Sequence, residues 1–306
     1  MAHPTPALRR ERPHVTDIIA RLADLSGRYD AVFCDLWGCL HNGKTPFPAA
    51  VAALQAFRAQ GGHVVLLTNA PRPNSSVIHQ LDGMSVPRDA WDLVVTSGDA
   101  TQYAMLRGDV GTRLYFIGAK KDEAFFTILP DDAPAAPPIT RVPLAQAQGI
   151  ICTGLADDLT ETPEDYREAL LECKINGLPM LCANPDVIVD YGDRRLYCAG
   201  ALAQAYEDLG GTVHYFGKPH PPIYDLARRR LAALTGGEDL TILMIGDGIA
   251  TDVLGGMAED IDTLFVTGGI AAAFFGADVN NPDKALLDQW LVAQSVSPTF
   301  AVGQLR

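Results

Sequence analysis

Apolar runs of strand length alternate with helix-like segments along this sequence, and this alternation limits the fold more than any other feature. Residues 29–35 form a largely apolar run that ends at Asp35, as expected for a parallel strand buried on both faces. A helix at about 49–60, a strand at 63–67, a helix at about 73–82 and a strand at 93–96 follow. Strands that alternate with helices indicate βαβ units. The sequence therefore predicts an α/β fold with a doubly wound parallel sheet.

A second α/β domain is expected inside the first. From about 107 to 211 the rhythm continues, but this stretch has a proline-rich loop at 130–143 and its own strand candidates, at 113–117 and 149–152. We therefore assign residues 107–211 to an inserted cap domain. Residues 1–106 and 212–306 are assigned to a core domain that is split in sequence.

The predicted core also has elements at both ends of the chain. A short leading helix is expected at 15–25, with Thr16 as its N-cap. After the cap, the core sheet is expected to resume with strands at 212–216, 241–245 and 262–266 and helices at about 221–234, 250–258 and 281–294.

Length and composition argue against several classes of protein. A chain of 306 residues exceeds what one hydrophobic core usually covers, in agreement with two domains. The net charge of −13 would repel nucleic acid, and the densest basic run, 228–230, is typical of a solvated helix face. The six cysteines form no regular framework, and no run resembles a signal peptide or a membrane span. We expect a cytoplasmic protein with reduced thiols that binds neither nucleic acid nor membranes.

Four polar residues stand at the ends of four apolar runs, namely Asp35, Thr68, Lys218 and Asp247. Open α/β sheets bind ligands beyond the carboxyl ends of their strands, so these side chains are expected in one crevice. A carboxylate can attack phosphorus, a hydroxyl and an ammonium can hold phosphoryl oxygens, and a second carboxylate can bind Mg²⁺. An Asp or Thr that follows a strand is, taken alone, more typical of a helix cap, and it is the combination of the four residues that favours phosphoryl chemistry.

The segments around these residues resemble the four ordered motifs of the haloacid dehalogenase superfamily. They are DLWGCL at 35–40, LTN at 67–69, GKP at 217–219 and GDGIATD at 246–252. The long insertion between the second and third motifs, with ANPD at 183–186, and the TGG at 267–269 resemble the class IIA branch. That branch includes sugar-phosphate, nucleotide and pyridoxal-phosphate phosphatases with an α/β cap. The resemblance covers residues 29–270 and implies a phosphatase of a small phosphorylated metabolite.

The resemblance also implies roles for individual residues. Asp35 matches the nucleophile, Thr68 and Asn69 match the groups that position the phosphoryl moiety, and Lys218 matches the cation that stabilises charge on both. Asp247 matches a Mg²⁺ ligand.

The other implied metal ligands are the second oxygen of Asp35 and the backbone carbonyl of Trp37. Asp252 is expected either to orient the metal site or only to stabilise the first turn of its helix.

Two cap residues are expected to take part in substrate selection. Asn184 and Asp186 match the cap motif of the branch, so we expect both to face the substrate. The alternative is an Asx-Pro turn that only shapes the loop. Dimers formed through the cap occur in the branch, and a homodimer is the default expectation.

Trp37 departs from the family pattern, because family phosphatases carry Asp at this position. That Asp protonates the leaving oxygen and later assists water, and general acid–base catalysis is worth about 10²–10⁴ in rate. His41, His220 and Asp186 are candidate substitutes, although a packing or surface role is more typical of each of them. Three functions stay open: a phosphatase for acidic leaving groups, another hydrolase such as a dehalogenase, and a phosphate-binding protein with little turnover. Dehalogenases of the superfamily also lack the second Asp. They work without metal, however, so the retained Mg²⁺ motif disfavours a dehalogenase.

Overall fold

The computed structural model describes residues 16–191, 194–237 and 239–306. In these ranges the strands are β1 (Asp17–Ile18), β2 (Ala31–Cys34), β3 (His63–Thr68), β4 (Leu93–Thr96), β5 (Arg113–Ile117), β6 (Thr140–Arg141), β7 (Gly149–Cys152), β8 (Met180–Cys182), β9 (Ile188–Tyr191), β10 (Arg194–Tyr197), β11 (Val213–Tyr215), β12 (Ile242–Gly246), β13 (Asp262–Val266) and β14 (Phe300–Val302).

The α-helices are α1 (Pro48–Ala59), α2 (Asn74–Gly83), α3 (Ser97–Arg107), α4 (Ala124–Thr127), α5 (Arg167–Ile175), α6 (Ala199–Asp208), α7 (Pro221–Thr235), α8 (Leu254–Ala258) and α9 (Lys284–Gln294). A π-helical turn, Ile249–Val253, leads into α8. Short 3₁₀ turns lie at Leu22–Asp24, Arg88–Ala90, Lys120–Glu123, Leu144–Gln146, Pro163–Tyr166 and Ala272–Phe274.

The core is a seven-stranded parallel sheet with the strand order β1-β14-β13-β12-β2-β3-β4. Strand β2 lies inside this sheet, between β12 and β3, and is buried along its whole length. Val32 belongs to the apolar cluster that contains Leu54 of α1, whereas Phe33 belongs to the cluster that contains Tyr224 of α7. Helices therefore cover both faces of the sheet, which confirms the predicted doubly wound α/β fold and explains why β2 reads as an unbroken apolar run.

A second parallel sheet, with the order β11-β8-β7-β5-β6, forms the cap. An antiparallel hairpin of β9 and β10 adjoins it in sequence. The expectation that the strand at 212–216 resumes the core sheet is wrong, since β11 pairs with β8 through the register Val213↔Met180. The core sheet resumes only at β12.

The leading segment also differs from the prediction. Asp17 and Ile18 form the edge strand β1 beside β14 instead of a helix, and Leu22–Asp24 forms a single 3₁₀ turn. The expected N-cap, Thr16, donates its hydroxyl to the carbonyl of Pro298 at 2.8 Å. Position 15 and the residues before it lie outside the described residues. An unpaired sheet edge offers backbone partners that a local helix cannot use, and this explains the change.

The basic run 228–230 is only partly a solvated face. Arg230 is mostly buried, and its guanidinium pairs with the buried carboxylate of Asp99 and with Asp132. Across the described ranges, we find no helix that combines the length and the apolarity needed to cross a membrane.

Candidate active site

Three of the four motif residues lie at the carboxyl ends of neighbouring strands in the core sheet. Asp35 directly follows β2, Thr68 ends β3, and Asp247 directly follows β12. These strands are neighbours in the order β12-β2-β3, and the amide of Asp35 continues the pairing by donating to the carbonyl of Ile245 at 2.8 Å. All three polar side chains are largely buried, and parallel pairing alone brings them to one crevice.

Lys218 reaches the same crevice from the loop that follows the cap strand β11. Its Nζ donates to Oδ1 of Asp35 and to Oδ1 of Asp252, each at 2.6 Å. Lys218 is only 2% exposed. Burial acts to lower its pKa, but the charges and hydrogen bonds of Asp252 and Asp35 raise the pKa well above the ordinary value. Lys218 is therefore a fixed ammonium against the carboxylate of Asp35.

Asn69 connects the second and third motifs. Its Oδ1 accepts the backbone N–H of Lys218 at 2.7 Å, and its Nδ2 donates to the carbonyl of Lys218 at 3.1 Å. The same Nδ2 donates to Oδ1 of Asp186 at 2.9 Å. A Cβ at Gly217 would lie 2.4 Å from Oδ1 of Asn69, so this close approach requires glycine. The neighbouring Thr68 accepts the N–H of Ala70 at 3.3 Å through its hydroxyl oxygen.

The carboxylate of Asp247 is enclosed by backbone. Its Oδ2 accepts the N–H of Ile270 at 2.9 Å. A Cβ added at Gly38 or at Gly269 would lie 2.0 Å from that same oxygen. Gly38 also has a φ of +72°, which only glycine adopts readily. Sequence reasoning did not identify the Ile270 amide, because a backbone donor carries no side-chain signal, although the glycine run at 267–269 marks the place.

Asp35, Asp247 and Cys39 offer ligand atoms that all lie within 4.8 Å of one another. Burial and the charges of Asp35 and Asp252 raise the pKa of Asp247 well above its usual range. Burial and nearby carboxylates also raise the pKa of the Cys39 thiol, so this residue stays protonated. Hard oxygen ligands and an excess of negative charge over the single ammonium of Lys218 suit a divalent cation such as Mg²⁺.

Both carboxylate oxygens of Asp252 accept hydrogen bonds from protein donors. Oδ1 accepts the Lys218 ammonium, and Oδ2 accepts the backbone N–H of Gly248 at 2.9 Å. Burial raises its pKa to about 7, with Lys218 opposing that shift. This geometry favours a supporting role, in which Asp252 holds Lys218 and the fourth motif in place, over a direct bond to a metal.

The indole of Trp37 packs against its own loop. It lies edge-on to the ring of His41, with 5.6 Å between ring centroids, and a Cβ at Gly43 would lie 2.1 Å from it. His41 is 2% exposed, and its Nδ1 accepts the N–H of Gly43 at 3.0 Å. The ring of His220 stacks on Tyr215 with 4.8 Å between centroids. Trp37 and both histidines therefore have packing roles.

The cap loop at 183–186 contacts the core directly. Oδ1 of Asn184 accepts the N–H of Asp186 at 3.0 Å, which is the loop-shaping turn considered as an alternative for Asn184. Asp186 reaches Asn69 from this loop. The hydroxyl of Ser97 donates to the carbonyl of Ala183 at 2.5 Å. Sequence reasoning missed Ser97, although a polar residue after the apolar strand β4 repeats the pattern that identified the motifs.

The chain is similar to known proteins over most of its length. The profile of the family "Haloacid dehalogenase-like hydrolase" matches residues 32–128, and a related HAD-hydrolase-like profile matches residues 215–289. A solved hydrolase of the haloacid dehalogenase-like family from Brucella suis 1330 is 42% identical, with a TM-score of 0.79 over 94% of this chain and 100% of that chain. The chain belongs to the haloacid dehalogenase-like hydrolase family. The order of its motifs and its α/β cap place it in the class IIA, NagD-like phosphatase branch.

Two curated relatives cover most of this haloacid dehalogenase-like chain. The ribonucleotide monophosphatase NagD of Escherichia coli K12 is 26% identical over 251 residues, covering 79% of this chain and 88% of the relative. The acid sugar phosphatase of Staphylococcus saprophyticus is 25% identical over 248 residues, with the same two coverages.

Proposed function

We propose that this chain is a Mg²⁺-dependent phosphatase that removes phosphate from a small phosphorylated metabolite through an aspartyl phosphate on Asp35. The observation that carries the proposal is the buried contact of 2.6 Å between the Lys218 ammonium and Asp35, close to the enclosed carboxylate of Asp247. A cation fixed beside a carboxylate in a water-poor crevice suits attack on a polyanionic phosphoryl group.

Each residue of the crevice has a task in this reaction. A carboxylate oxygen of Asp35 attacks phosphorus, and the P–O bond to the leaving group breaks. Lys218 offsets negative charge on Asp35 and on the transferred group. Thr68 holds a phosphoryl oxygen, and Asn69 positions the phosphoryl group indirectly, because its side chain bonds to the Lys218 backbone and to Asp186.

The residues present fit a Mg²⁺ ion. Asp35, Asp247 and the backbone carbonyl of Trp37 would hold it, with Asp252 in support through Lys218. When bound, the ion would offset charge on the carboxylates and on the phosphoryl oxygens. The raised pKa of the Asp247 carboxyl agrees with a site that lacks positive charge.

The relatives suggest the class of substrate. The two curated relatives are named as a ribonucleotide monophosphatase and an acid sugar phosphatase. We therefore propose a small phosphate monoester whose organic part lies under the cap loop, next to Asp186 and Asn184. A homodimer that joins two caps is the assembly we propose for the chain.

Trp37 favours one alternative, a phosphate-binding protein with weak turnover. An indole cannot transfer the protons that family phosphatases transfer from this position. Such a protein would bind phosphorylated ligands, or keep a long-lived aspartyl phosphate, without releasing product at a useful rate. A dehalogenase suits the crevice less well, because the carboxylate of Asp247 would then have no metal to bind.

The deciding experiment is hydrolysis of p-nitrophenyl phosphate with and without Mg²⁺, by the parent protein and by Asp35→Asn and Trp37→Asp variants. Turnover that needs both Mg²⁺ and Asp35 supports the phosphatase. Turnover by Trp37→Asp alone supports the binding protein, because the missing proton carrier would then be limiting. Thermal unfolding of each variant separates a loss of chemistry from a loss of fold, which matters for Trp37 because its indole is packed.

A further inference from the structure

A phosphatase without a carboxylate at position 37 needs another proton carrier or an unusually acidic leaving group. His41 is poorly suited, because it is 2% exposed and its Nδ1 already accepts the N–H of Gly43. Asp252 is also unsuited, because both its oxygens accept protein donors. The cap supplies a different carboxyl, that of Asp186.

Asp186 is held at the group that would position the phosphoryl moiety. Its Oδ1 accepts Nδ2 of Asn69 at 2.9 Å, and the same Nδ2 bonds to the carbonyl of Lys218. Asp186 as a whole is half-buried, and only its Oδ1 has a hydrogen bond from Asn69. The side chain of Asn69 thus joins the cap carboxyl to the third motif through two hydrogen bonds.

The loop that carries Asp186 is tightly fixed. The N–H of Gly200, in the first turn of α6, donates to the carbonyl of Asp186 at 3.0 Å. A Cβ at Gly200 would lie 2.2 Å from the carbonyl oxygen of Pro185, and a Cβ at Gly217 would lie 2.5 Å from the ring of Pro185. The cap helix and the third motif therefore both pack closely against this loop. A preorganised catalytic group requires such a rigid support.

The direction of attack decides what this carboxyl faces. In phosphoryl transfer the attacking and leaving oxygens are roughly in line, so the leaving oxygen lies on the side of phosphorus away from Asp35. Asp35 directly follows strand β2 of the core sheet, whereas the loop at 183–186 comes from the cap and meets the crevice at Asn69. We infer that Asp186 is the general acid and base of this enzyme, in place of the carboxylate that Trp37 lacks. The inference rests on the proposed phosphatase function.

The proton balance closes in two steps. As the Asp35–phosphorus bond forms, the bond from phosphorus to the leaving oxygen breaks, and that oxygen takes the proton of the Asp186 carboxyl. The Asp186 carboxylate then takes a proton from the water that attacks phosphorus. The Asp35–phosphorus bond breaks, and phosphate and a free Asp35 carboxylate are released.

Electrostatics agree with the acid role. Burial raises the pKa of Asp186, and the negative charge of Asp35 acts in the same direction. The hydrogen bond from Asn69 and the charge of Lys218 oppose that shift. A raised pKa keeps a larger share of the carboxyl protonated, as a proton donor needs before the first step.

The test is the dependence of kcat/KM on the leaving group, with p-nitrophenyl phosphate and phenyl phosphate as substrates of the parent and of Asp186→Asn. We use kcat/KM because it reports formation of the aspartyl phosphate and release of the phenol. We expect Asp186→Asn to lose about 10²–10⁴-fold on phenyl phosphate and under about tenfold on p-nitrophenyl phosphate, whose leaving group needs little protonation. A burst of p-nitrophenol should then precede slow turnover.

A matched control is Asp122→Asn, which changes another buried cap carboxyl, one that bonds to Thr153 instead of Asn69. We expect this variant to keep the parent's ratio between the two substrates. Equal losses on both substrates in Asp186→Asn, or no loss on either, would overturn the proton role while leaving the phosphatase intact. An absence of Asp35-dependent turnover in the parent would overturn the phosphatase, and the inference with it.

Discussion

The ammonium of Lys218 donates to Oδ1 of Asp35 at 2.6 Å, and it comes from a loop that follows a strand of the other sheet. Asp252 accepts from the same ammonium at 2.6 Å and is 2% exposed. Two buried carboxylates therefore depend on one cation. Because Lys218 follows a cap strand, both carboxylates are paired only while the loop after that strand lies against the core.

Replacing Lys218 with Met should remove both catalysis and stability. Removal of a charge-stabilising donor typically costs about 10²–10³ in kcat, and we expect at least that loss on p-nitrophenyl phosphate. Leaving buried carboxylates unpaired should lower the free energy of unfolding by about 3–5 kcal/mol, measured by urea unfolding. Lys284→Met is the control, because Lys284 pairs with Asp288 at the surface and should cost under about 1 kcal/mol. Similar costs for both variants would contradict the interpretation.

Gly269→Ala should weaken Mg²⁺ binding through the position of Asp247. The added Cβ would lie 2.0 Å from Oδ2 of Asp247, so that carboxylate must shift from its present place near Asp35. Changes in the groups that orient metal ligands typically cost about 10–100-fold in metal affinity, and we expect that increase in the Mg²⁺ concentration for half-maximal activity. Gly83→Ala is the control, since a Cβ there meets nothing within 4 Å. An unchanged Mg²⁺ dependence in Gly269→Ala would show that Asp247 is not a ligand.

Much of the crevice can be predicted from sequence, because it depends on a simple rule. Asp35, Thr68 and Asp247 each stand at the end of an apolar run, and parallel strands place their carboxyl ends at one edge. Lys218 was expected there as well, but on the assumption that its strand belongs to the core sheet. The strand lies in the cap sheet, and only the loop after it returns to Asp35.

The features that sequence did not predict depend on contacts between distant segments. Asp17 pairs with Phe300, and local periodicity contains no information about that partner. In the sequence Arg230 looks like part of a solvated basic run, but in the structure it pairs with the buried carboxylate of Asp99. The Ile270 amide is a backbone group, so no residue type indicates it. Local patterns thus predict elements and strand ends, but not which distant segments satisfy each other's polar groups.

Arg230→Met should destabilise the protein through Asp99. The side chain of Asp99 is 1% exposed, and burial raises its pKa although Arg230 opposes that shift. Loss of the guanidinium leaves a buried carboxylate with a weakened set of partners, at a cost of about 3–5 kcal/mol in the free energy of unfolding. Adding Asp99→Asn should recover part of that cost, so the double variant should be more stable than the sum of the single variants predicts.

The exposed pair of Arg88 and Asp82 provides the comparison for that cycle. Both side chains are well exposed, so Arg88→Met should cost under about 1 kcal/mol. Strict additivity of Asp99→Asn and Arg230→Met would show that the buried pair contributes no coupling, and that the loss in Arg230→Met comes from packing alone.

The buried ring of His41 should make stability depend on pH. Burial lowers the pKa of His41, while the charge of Asp35 opposes that shift. As pH falls through the unfolded pKa of about 6.5, the unfolded chain binds a proton that the folded chain does not, so stability falls.

In His41→Asn, the side-chain oxygen can replace Nδ1 as the acceptor for Gly43 without titrating. Urea unfolding from about pH 8 to pH 5 should show the parent losing up to about 1.4 kcal/mol per pH unit more than the variant. Parallel curves would mean that His41 titrates equally in both states, and that its ring is more accessible to protons than its burial indicates.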